Sequence, residues 1–128
     1  MQDGKHVILC LDDDPDICKF LKTVLENGGY IASTAVTAEE GLEAYKEINP
    51  DLVIVDLMME EIDAGATFVK ELRLLGNAAP IYMLSSVGDD FNLATDSAAL
   101  GLAGVFQKPV SPDRLLSVLK VALRETGP

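Results

Sequence analysis

Polar side chains stand directly after apolar runs at four places in the sequence. These places are Asp12-Asp13-Asp14, Asp56, Ser85-Ser86 and Gln107-Lys108-Pro109. Carboxylates gathered at one edge repel each other unless a cation neutralises them, and an oxygen-only set without His or Cys suits Mg²⁺. With a metal and an amine to balance charge, one carboxylate can attack a phosphoryl group while a hydroxyl contacts its oxygens. The residue types therefore indicate a candidate site for phosphoryl chemistry.

The apolar runs before these residues have the length of strands. Their apolarity is continuous rather than alternating, which is typical of strands that are covered on both faces. Two weaker runs complete a predicted set of five strands at 7–11, 30–35, 52–55, 81–84 and 104–106.

Segments with helical spacing of apolar residues lie between and after the strands. The predicted core-facing stripes are Ile17, Phe20, Leu21, Val24 and Leu25; Leu42, Tyr45 and Ile48; Phe68, Val69, Leu72 and Leu75; and Leu115, Leu116, Leu119, Ala122 and Leu123. A further helix around 91–100 has the weakest pattern. A strand followed by a helix five times over predicts a parallel sheet with helices on both faces, and ligands bind such a sheet beyond the carboxyl ends of its strands.

Residues that favour helix ends stand at the predicted starts and ends of these helices. Asp14-Pro15 and Ser111-Pro112 each read as an N-cap followed by proline at the first helical position, and Thr37 with Glu40 forms a capping box. Gly28-Gly29 and Gly76 supply stops. We therefore interpret Asp14 as a helix cap rather than as a metal ligand.

Taken in order, the four polar stretches resemble the receiver domain of bacterial response regulators over nearly the whole chain. That family has an acidic pair after strand one, an Asp followed by an apolar residue and two Met after strand three, Ser or Thr after strand four, and Lys-Pro after strand five. The matching stretches here are Leu11-Asp12-Asp13-Asp14-Pro15, Val55-Asp56-Leu57-Met58-Met59, Pro80 through Ser85-Ser86, and Lys108-Pro109. The resemblance implies one receiver domain over 1–128, with a flavodoxin-like, doubly wound parallel sheet of order 2-1-3-4-5 and five helices.

The resemblance also implies roles for individual residues. Asp56 would accept the phosphoryl group, Lys108 would pair with Asp56 or its phosphoryl group, and Ser85 would contact a phosphoryl oxygen. Lys108-Pro109 resembles the family's cis peptide. The implied ligands of Mg²⁺ are Asp13 and Asp56 directly, Asp12 mainly through water, and Met58 through its backbone carbonyl.

A receiver domain implies protein partners rather than enzymatic turnover. The phosphoryl donor would be a sensor histidine kinase or a phosphotransfer protein, and the response would pass to a downstream protein or to a phosphorylation-dependent homodimer. The expected contact face combines the helix around 91–100, the fifth strand and the last helix, with Val118 and Val121 as a small apolar patch.

The chain departs from the family pattern at several positions. Glu60 and Asp63-Ala64 replace the usual Pro and Asp-Gly, and the stretch from Ser85 to Lys108 has one residue more than in many receivers. Val105 occupies the position of the aromatic switch residue, and strand alternation puts Phe106 on the opposite sheet face. Met58 and Val87 are apolar at the two rim positions that tune dephosphorylation, which predicts slow autodephosphorylation.

Two alternatives compete with a working receiver. A Mg²⁺-dependent phosphatase of the haloacid-dehalogenase type also forms an aspartyl phosphate, but it has Asp-x-Asp where this chain has Asp56-Leu57-Met58. A degenerate receiver would keep the fold as a binding module; the intact Asp13, Asp56 and Lys108 argue against it, whereas Val105 favours it.

Composition bounds the partners and the compartment. A formal charge of −11 without any Lys/Arg cluster argues against contact with nucleic acid or an anionic membrane surface. No run approaches the roughly 20 apolar residues of a membrane span, and the first residues lack the layout of a secretory signal. Cys10 and Cys18 fit small buried hydrophobes better than a disulfide. We therefore expect a cytoplasmic protein.

Overall fold

Five parallel strands form one sheet in the computed structural model, which describes residues 2–56, 64–86 and 101–123. The strands are β1 (Val7–Leu11), β2 (Ile31–Ala35), β3 (Leu52–Asp56), β4 (Ile81–Ser85) and β5 (Gly104–Gln107). Their order across the sheet is β2-β1-β3-β4-β5, and every neighbouring pair is parallel. The predicted fold class and strand order are confirmed.

Four helices accompany the sheet within the described residues. They are α1 (Pro15–Asn27), α2 (Ala38–Ile48), α3 (Ala64–Leu74) and α4 (Pro112–Ala122). The additional helix predicted around 91–100 lies outside the described residues. None of the helices in the described ranges is long and apolar enough to cross a membrane.

The helix caps follow the residues that predicted them. Asp14, Thr37 and Ser111 are the N-caps of α1, α2 and α4, and each side chain accepts a hydrogen bond from a backbone N–H of the first turn. At the other end of α1, Gly28 is the C-cap, and Gly29 has a φ of 92°, a left-handed value that suits glycine. These caps fix where each helix leaves the strand end before it.

The two faces of the sheet bury separate apolar clusters. Cys10, Leu84 and Phe106 belong to the cluster shared with α1 and α4, whereas Leu11, Met83 and Phe68 belong to the cluster on the α2 and α3 face. Phe106 stacks on Tyr82 with ring centroids 5.3 Å apart, while Val105 packs against the opposite cluster. The predicted separation of Val105 and Phe106 is confirmed.

Three positions at the edges of the helical stripes correct the sequence analysis. Phe20 and Leu75, both expected in the core, are 38% and 50% exposed. Val118, expected on the surface, packs against the α1 and α4 cluster, so it widens the core stripe. Val121 is 64% exposed, as expected. Which flank of a helix is covered depends on its tilt over the sheet, which apolar spacing does not specify.

Candidate functional site

The register of the sheet brings the four polar stretches to one edge. Leu11 pairs with Val55, so that Asp12 and Asp56, the next residues along their strands, reach the same level of neighbouring strands. On the other side of Asp56, the backbone N–H of Lys108 donates to the Ser85 carbonyl at 2.7 Å. The carboxyl ends of β1, β3, β4 and β5 therefore deliver acids, a hydroxyl and an amine to one place.

The Lys108 ammonium lies between two buried carboxylates. Its Nζ is 3.0 Å from Asp12 Oδ2 and 3.2 Å from Asp56 Oδ1. Asp12 is fully buried and Asp56 is 3% exposed, while the Lys108 side chain is 20% exposed. Burial alone lowers the pKa of Lys108, but the hydrogen bonds and charges of Asp12 and Asp56 outweigh burial and raise it above its usual value. The contact with Asp12 was not predicted from the sequence.

Asp12 is held through several of its atoms. Its backbone N–H donates to the Ala35 carbonyl at 3.1 Å, and its Oδ1 accepts from the Asp14 N–H at 2.9 Å. Apart from Lys108 Nζ at 3.0 Å, Oδ2 has no partner among the described residues. A fully buried carboxylate oxygen with unused acceptor capacity is costly and is available to a further ligand.

Three carboxylates could share one cation at this edge. Ligand oxygens of Asp12, Asp13 and Asp56 all lie within 4.8 Å of one another, with Asp13 exposed and the other two buried. Among the residues that the structure describes, three carboxylates face a single ammonium, so the cluster keeps an excess of negative charge. An all-oxygen donor set with an incompletely satisfied oxygen fits a small hard cation such as Mg²⁺. The fourth predicted ligand, Met58, lies outside the described residues.

The remaining predicted residues divide between the site and its surroundings. Ser85 ends β4 beside the strand of Asp56, is 6% exposed, and its Oγ donates to the Ser86 carbonyl at 3.5 Å. The Asp14 side chain accepts from the Asp16 N–H at 2.9 Å as the N-cap of α1, which confirms its interpretation as a cap. The Lys108-Pro109 peptide is cis, as expected. Glu60, Asp63 and Val87 lie outside the described residues.

Cys18, which the sequence predicted only as a small buried residue, contacts the acidic loop. The Cys18 thiol lies 3.3 Å from the Asp12 carbonyl oxygen and 3.7 Å from that of Ala35. Burial raises the pKa of the Cys18 thiol to about 11, and the nearby Asp12 charge adds to that rise, so the thiol keeps its proton at neutral pH. Both cysteines are free and buried, as predicted.

Known proteins match this chain in sequence and in fold. The family described as response regulator receiver domain matches residues 8–120. The chemotaxis protein CheY of Bacillus subtilis is 33% identical over 119 residues, covering 92% of this chain and 98% of that protein. The probable transcriptional regulator ycf27 of Guillardia theta is 36% identical over 123 residues, covering 96% of this chain and 47% of that protein. The chain spans less than half the length of the first curated relatives that it matches.

The fold also matches solved structures. The chemotaxis protein CheY4 of Vibrio cholerae superposes with a TM-score of 0.84 at 28% identity, over 94% of this chain and all of that chain. The family match covers most of the chain, and the strand order and the acidic edge of the sheet agree with it. The chain therefore belongs to the response regulator receiver domain family of two-component signalling.

Proposed function

We propose that this chain, as one receiver domain over 1–128, accepts a phosphoryl group on Asp56 and passes the resulting change to a protein partner. The observation that supports this proposal best is the grouping of the Asp12, Asp13 and Asp56 carboxylates within 4.8 Å, with Lys108 in contact with two of them. Asp56 ends the central strand β3 and contacts the amine, whereas Asp12 lies just beyond the end of β1 and Asp13 is exposed.

In the proposed reaction, an Asp56 carboxylate oxygen forms a bond to phosphorus. The bond between phosphorus and the donor breaks, and its electron pair leaves with the donor group, an imidazole in the case of a histidine kinase. The Lys108 ammonium, now 3.2 Å from Asp56, remains beside the phosphoryl oxygens and balances their charge. The Ser85 hydroxyl, at the end of the neighbouring strand, donates to a phosphoryl oxygen.

The same edge would hold Mg²⁺, with Asp13 and Asp56 as direct ligands and Asp12 acting mainly through water. When bound, the ion supplies positive charge to the transferring oxygens. Asp12 contributes by holding Lys108 on the side of the site that faces Asp56, through the 3.0 Å contact of its Oδ2 with Nζ.

A small phosphodonor such as acetyl phosphate tests the proposal directly. The protein is incubated with the donor and Mg²⁺, and intact mass and peptide mapping then locate the modification. We expect one phosphoryl group on Asp56, and its loss in Asp56→Asn. Asp51→Asn is a matched control, because Asp51 precedes the same strand at its opposite end and should leave the adduct unchanged. A full adduct in Asp56→Asn would refute the assignment.

The test also separates the alternatives. A degenerate receiver would give no adduct with any donor, whereas a phosphatase would release phosphate over many turnovers. Position 105 holds a valine, so an aromatic ring that rotates at that position cannot be the relay in this chain.

The proposed donor is a sensor histidine kinase or a phosphotransfer protein, and the proposed target is another protein or a second copy of this chain. The prediction that nucleic acid is excluded gains no support from the comparisons, because relatives of greater length are named as transcriptional regulators. For the residues of this chain, the charge of −11 favours contact with protein.

A further inference from the structure

Helix α1 sends one side chain back to the loop that precedes it. Cys18 is 5% exposed and places its Sγ 3.3 Å from the Asp12 carbonyl oxygen, with the Ala35 carbonyl oxygen at 3.7 Å. The backbone N–H of Cys18 donates to the Asp14 carbonyl at 3.1 Å. Cys18 therefore contacts both ends of the acidic loop, once through its main chain and once through its thiol.

The Asp12 carbonyl matters because of the peptide to which it belongs. A peptide group is planar, so the orientation of the Asp12 C=O fixes the orientation of the Asp13 N–H and the position of the Asp13 Cα. Asp12 and Asp13 are neighbours in the three-carboxylate cluster. A group that holds this carbonyl thus sets how the two carboxylates are presented relative to each other.

We propose that Cys18 is a positioning residue for the cation site: its thiol donates to the Asp12 carbonyl and holds the Asp12–Asp13 peptide in the orientation that brings both carboxylates toward Asp56. This inference rests on the proposed function, because it assumes that the cluster binds Mg²⁺. A thiol is a weak donor, so its effect is on the precision of the loop rather than on the existence of the fold.

Cys10 provides a matched comparison within the same chain. It lies two residues before Asp12 on β1, is fully buried, and belongs to the apolar cluster between the sheet and α1. Truncation to alanine removes the same sulfur atom at both positions, but the Cys10 side chain belongs to an apolar cluster, whereas the Cys18 thiol contacts the Asp12 carbonyl. A purely structural role for Cys18 would make the two cysteines behave alike.

The experiment compares Cys18→Ser, Cys18→Ala, Cys18→Val and Cys10→Ala with the parent protein. Mg²⁺ affinity is followed by NMR titration of the Asp12 and Asp13 amides, at a temperature where every variant is folded. Serine keeps a donor, so we expect its affinity to stay within about twofold of the parent, whereas alanine and valine weaken Mg²⁺ about three- to fivefold. Cys10→Ala should lower stability and leave the affinity unchanged.

Amide hydrogen exchange in metal-free protein provides a second readout. The Asp12 N–H donates to Ala35 and the Asp14 N–H donates to Asp12 Oδ1, so both report on the loop. We expect faster exchange at these amides in Cys18→Ala and Cys18→Val than global stability explains, with recovery in Cys18→Ser.

The outcomes distinguish this inference from the proposed function. Equal affinity and equal exchange in Cys18→Ala and the parent would overturn the role of Cys18 while leaving the cation site intact. Equal losses in Cys18→Ser and Cys18→Ala would also overturn it, since the donor would then be irrelevant. A parent protein that binds no Mg²⁺ would contradict the proposed metal site, and the exchange comparison would still decide whether Cys18 positions the loop.

Discussion

The sheet has an amino-terminal edge, where its parallel strands begin, and a carboxyl-terminal edge, where they end, and the polar groups at these two edges are satisfied to different extents. At the amino-terminal edge, Asp51 Oδ2 accepts from the Val7 N–H at 2.8 Å, and Asp51 N–H donates back to the Val7 carbonyl at 2.8 Å. Asn77 accepts from the Tyr45 hydroxyl at 2.6 Å and exchanges two further hydrogen bonds with Ala79. At the carboxyl-terminal edge, the described part of the chain places three acids around one amine.

This difference separates a structural edge from a functional one. The amino-terminal edge satisfies its polar groups locally, so its contacts should contribute to folding stability. The carboxyl-terminal edge keeps an excess of negative charge among the described residues, and an added cation would reduce the resulting repulsion. Removal of a carboxylate at the two edges should therefore change stability with opposite signs, and only the carboxyl-terminal edge should respond to Mg²⁺.

The largest loss of folding stability is expected when the positive charge of Lys108 is removed from the acidic cluster. Lys108→Met leaves the buried Asp12 and Asp56 carboxylates without their amine, and breaking such a pair costs about 3 kcal/mol of unfolding free energy. Urea denaturation with and without Mg²⁺ measures this loss, and Mg²⁺ should recover part of it. A loss below that of an exposed lysine variant such as Lys120→Met would show that the pair is not important for stability.

Lys108 also determines the direction in which folding stability changes with pH in alkaline solution. The pKa of Lys108 is higher in the folded protein than its ordinary value of 10.5. The stabilisation from this shift is present in full below that ordinary value and is lost as the pH rises through the higher folded-state value. The parent protein should therefore lose stability in strongly alkaline solution, and Lys108→Met should lack this component of the loss.

At the amino-terminal edge, Asn77→Ala should be the most damaging polar substitution. It removes the acceptor of the Tyr45 hydroxyl and two contacts with Ala79, which leaves partly buried groups without partners. We expect a loss of about 2 kcal/mol in unfolding free energy. Mg²⁺ affinity, measured by titration, should be unchanged; a reduced affinity would contradict the separation of the two edges.

Asp51 and Asp56 lie at opposite ends of β3, and their substitutions should change stability in opposite directions. Asp56→Asn removes one of the three carboxylates and should stabilise the metal-free protein by about 1 kcal/mol, because mutual repulsion falls. Asp51→Asn replaces a charged acceptor of the Val7 N–H by a weaker neutral one and should destabilise by about 1 kcal/mol. Thermal denaturation without metal decides the signs. Equal signs for both variants would remove the basis of the comparison.

The elements that the sequence predicted well are those fixed by local preferences. The N-caps Asp14, Thr37 and Ser111 stand where their short polar side chains serve a helix start, and buried strands such as β1 were visible as apolar runs. The strand order came from the resemblance to a known family, since apolarity alone does not say which strands are neighbours.

Contacts that depend on strand register or helix tilt were harder to predict from the sequence. Apolar spacing placed Phe20 in the core and Val118 outside it, because it does not specify how a helix lies on the sheet. The motif paired Lys108 with Asp56, whereas the fold adds Asp12 at a comparable distance. The thiol contact of Cys18 required the path of the chain from β1 into α1.

The smallest effects on Mg²⁺ affinity are expected for substitutions of Asp14, which lies next to the cation site in the sequence. Asp14 adjoins Asp13 in the sequence, but its carboxylate caps α1 by accepting from the Asp16 N–H. Asn is an equally good cap, so Asp14→Asn should leave both stability and Mg²⁺ affinity close to those of the parent, while Asp14→Ala should cost about 1 kcal/mol of stability and no affinity.

Asp13→Asn should show the reverse pattern, because Asp13 is exposed and belongs to the three-carboxylate cluster. Its stability should change little, and Mg²⁺ titration should show a clear loss of affinity, since a neutral amide oxygen is a weaker ligand for a hard cation than a carboxylate. If Asp14→Asn weakened Mg²⁺ more than Asp13→Asn, the acidic pair would have been assigned one residue too early. Such a result would place the functional edge inside the cap of α1, where a single carboxylate would then have to serve both the helix and the cation.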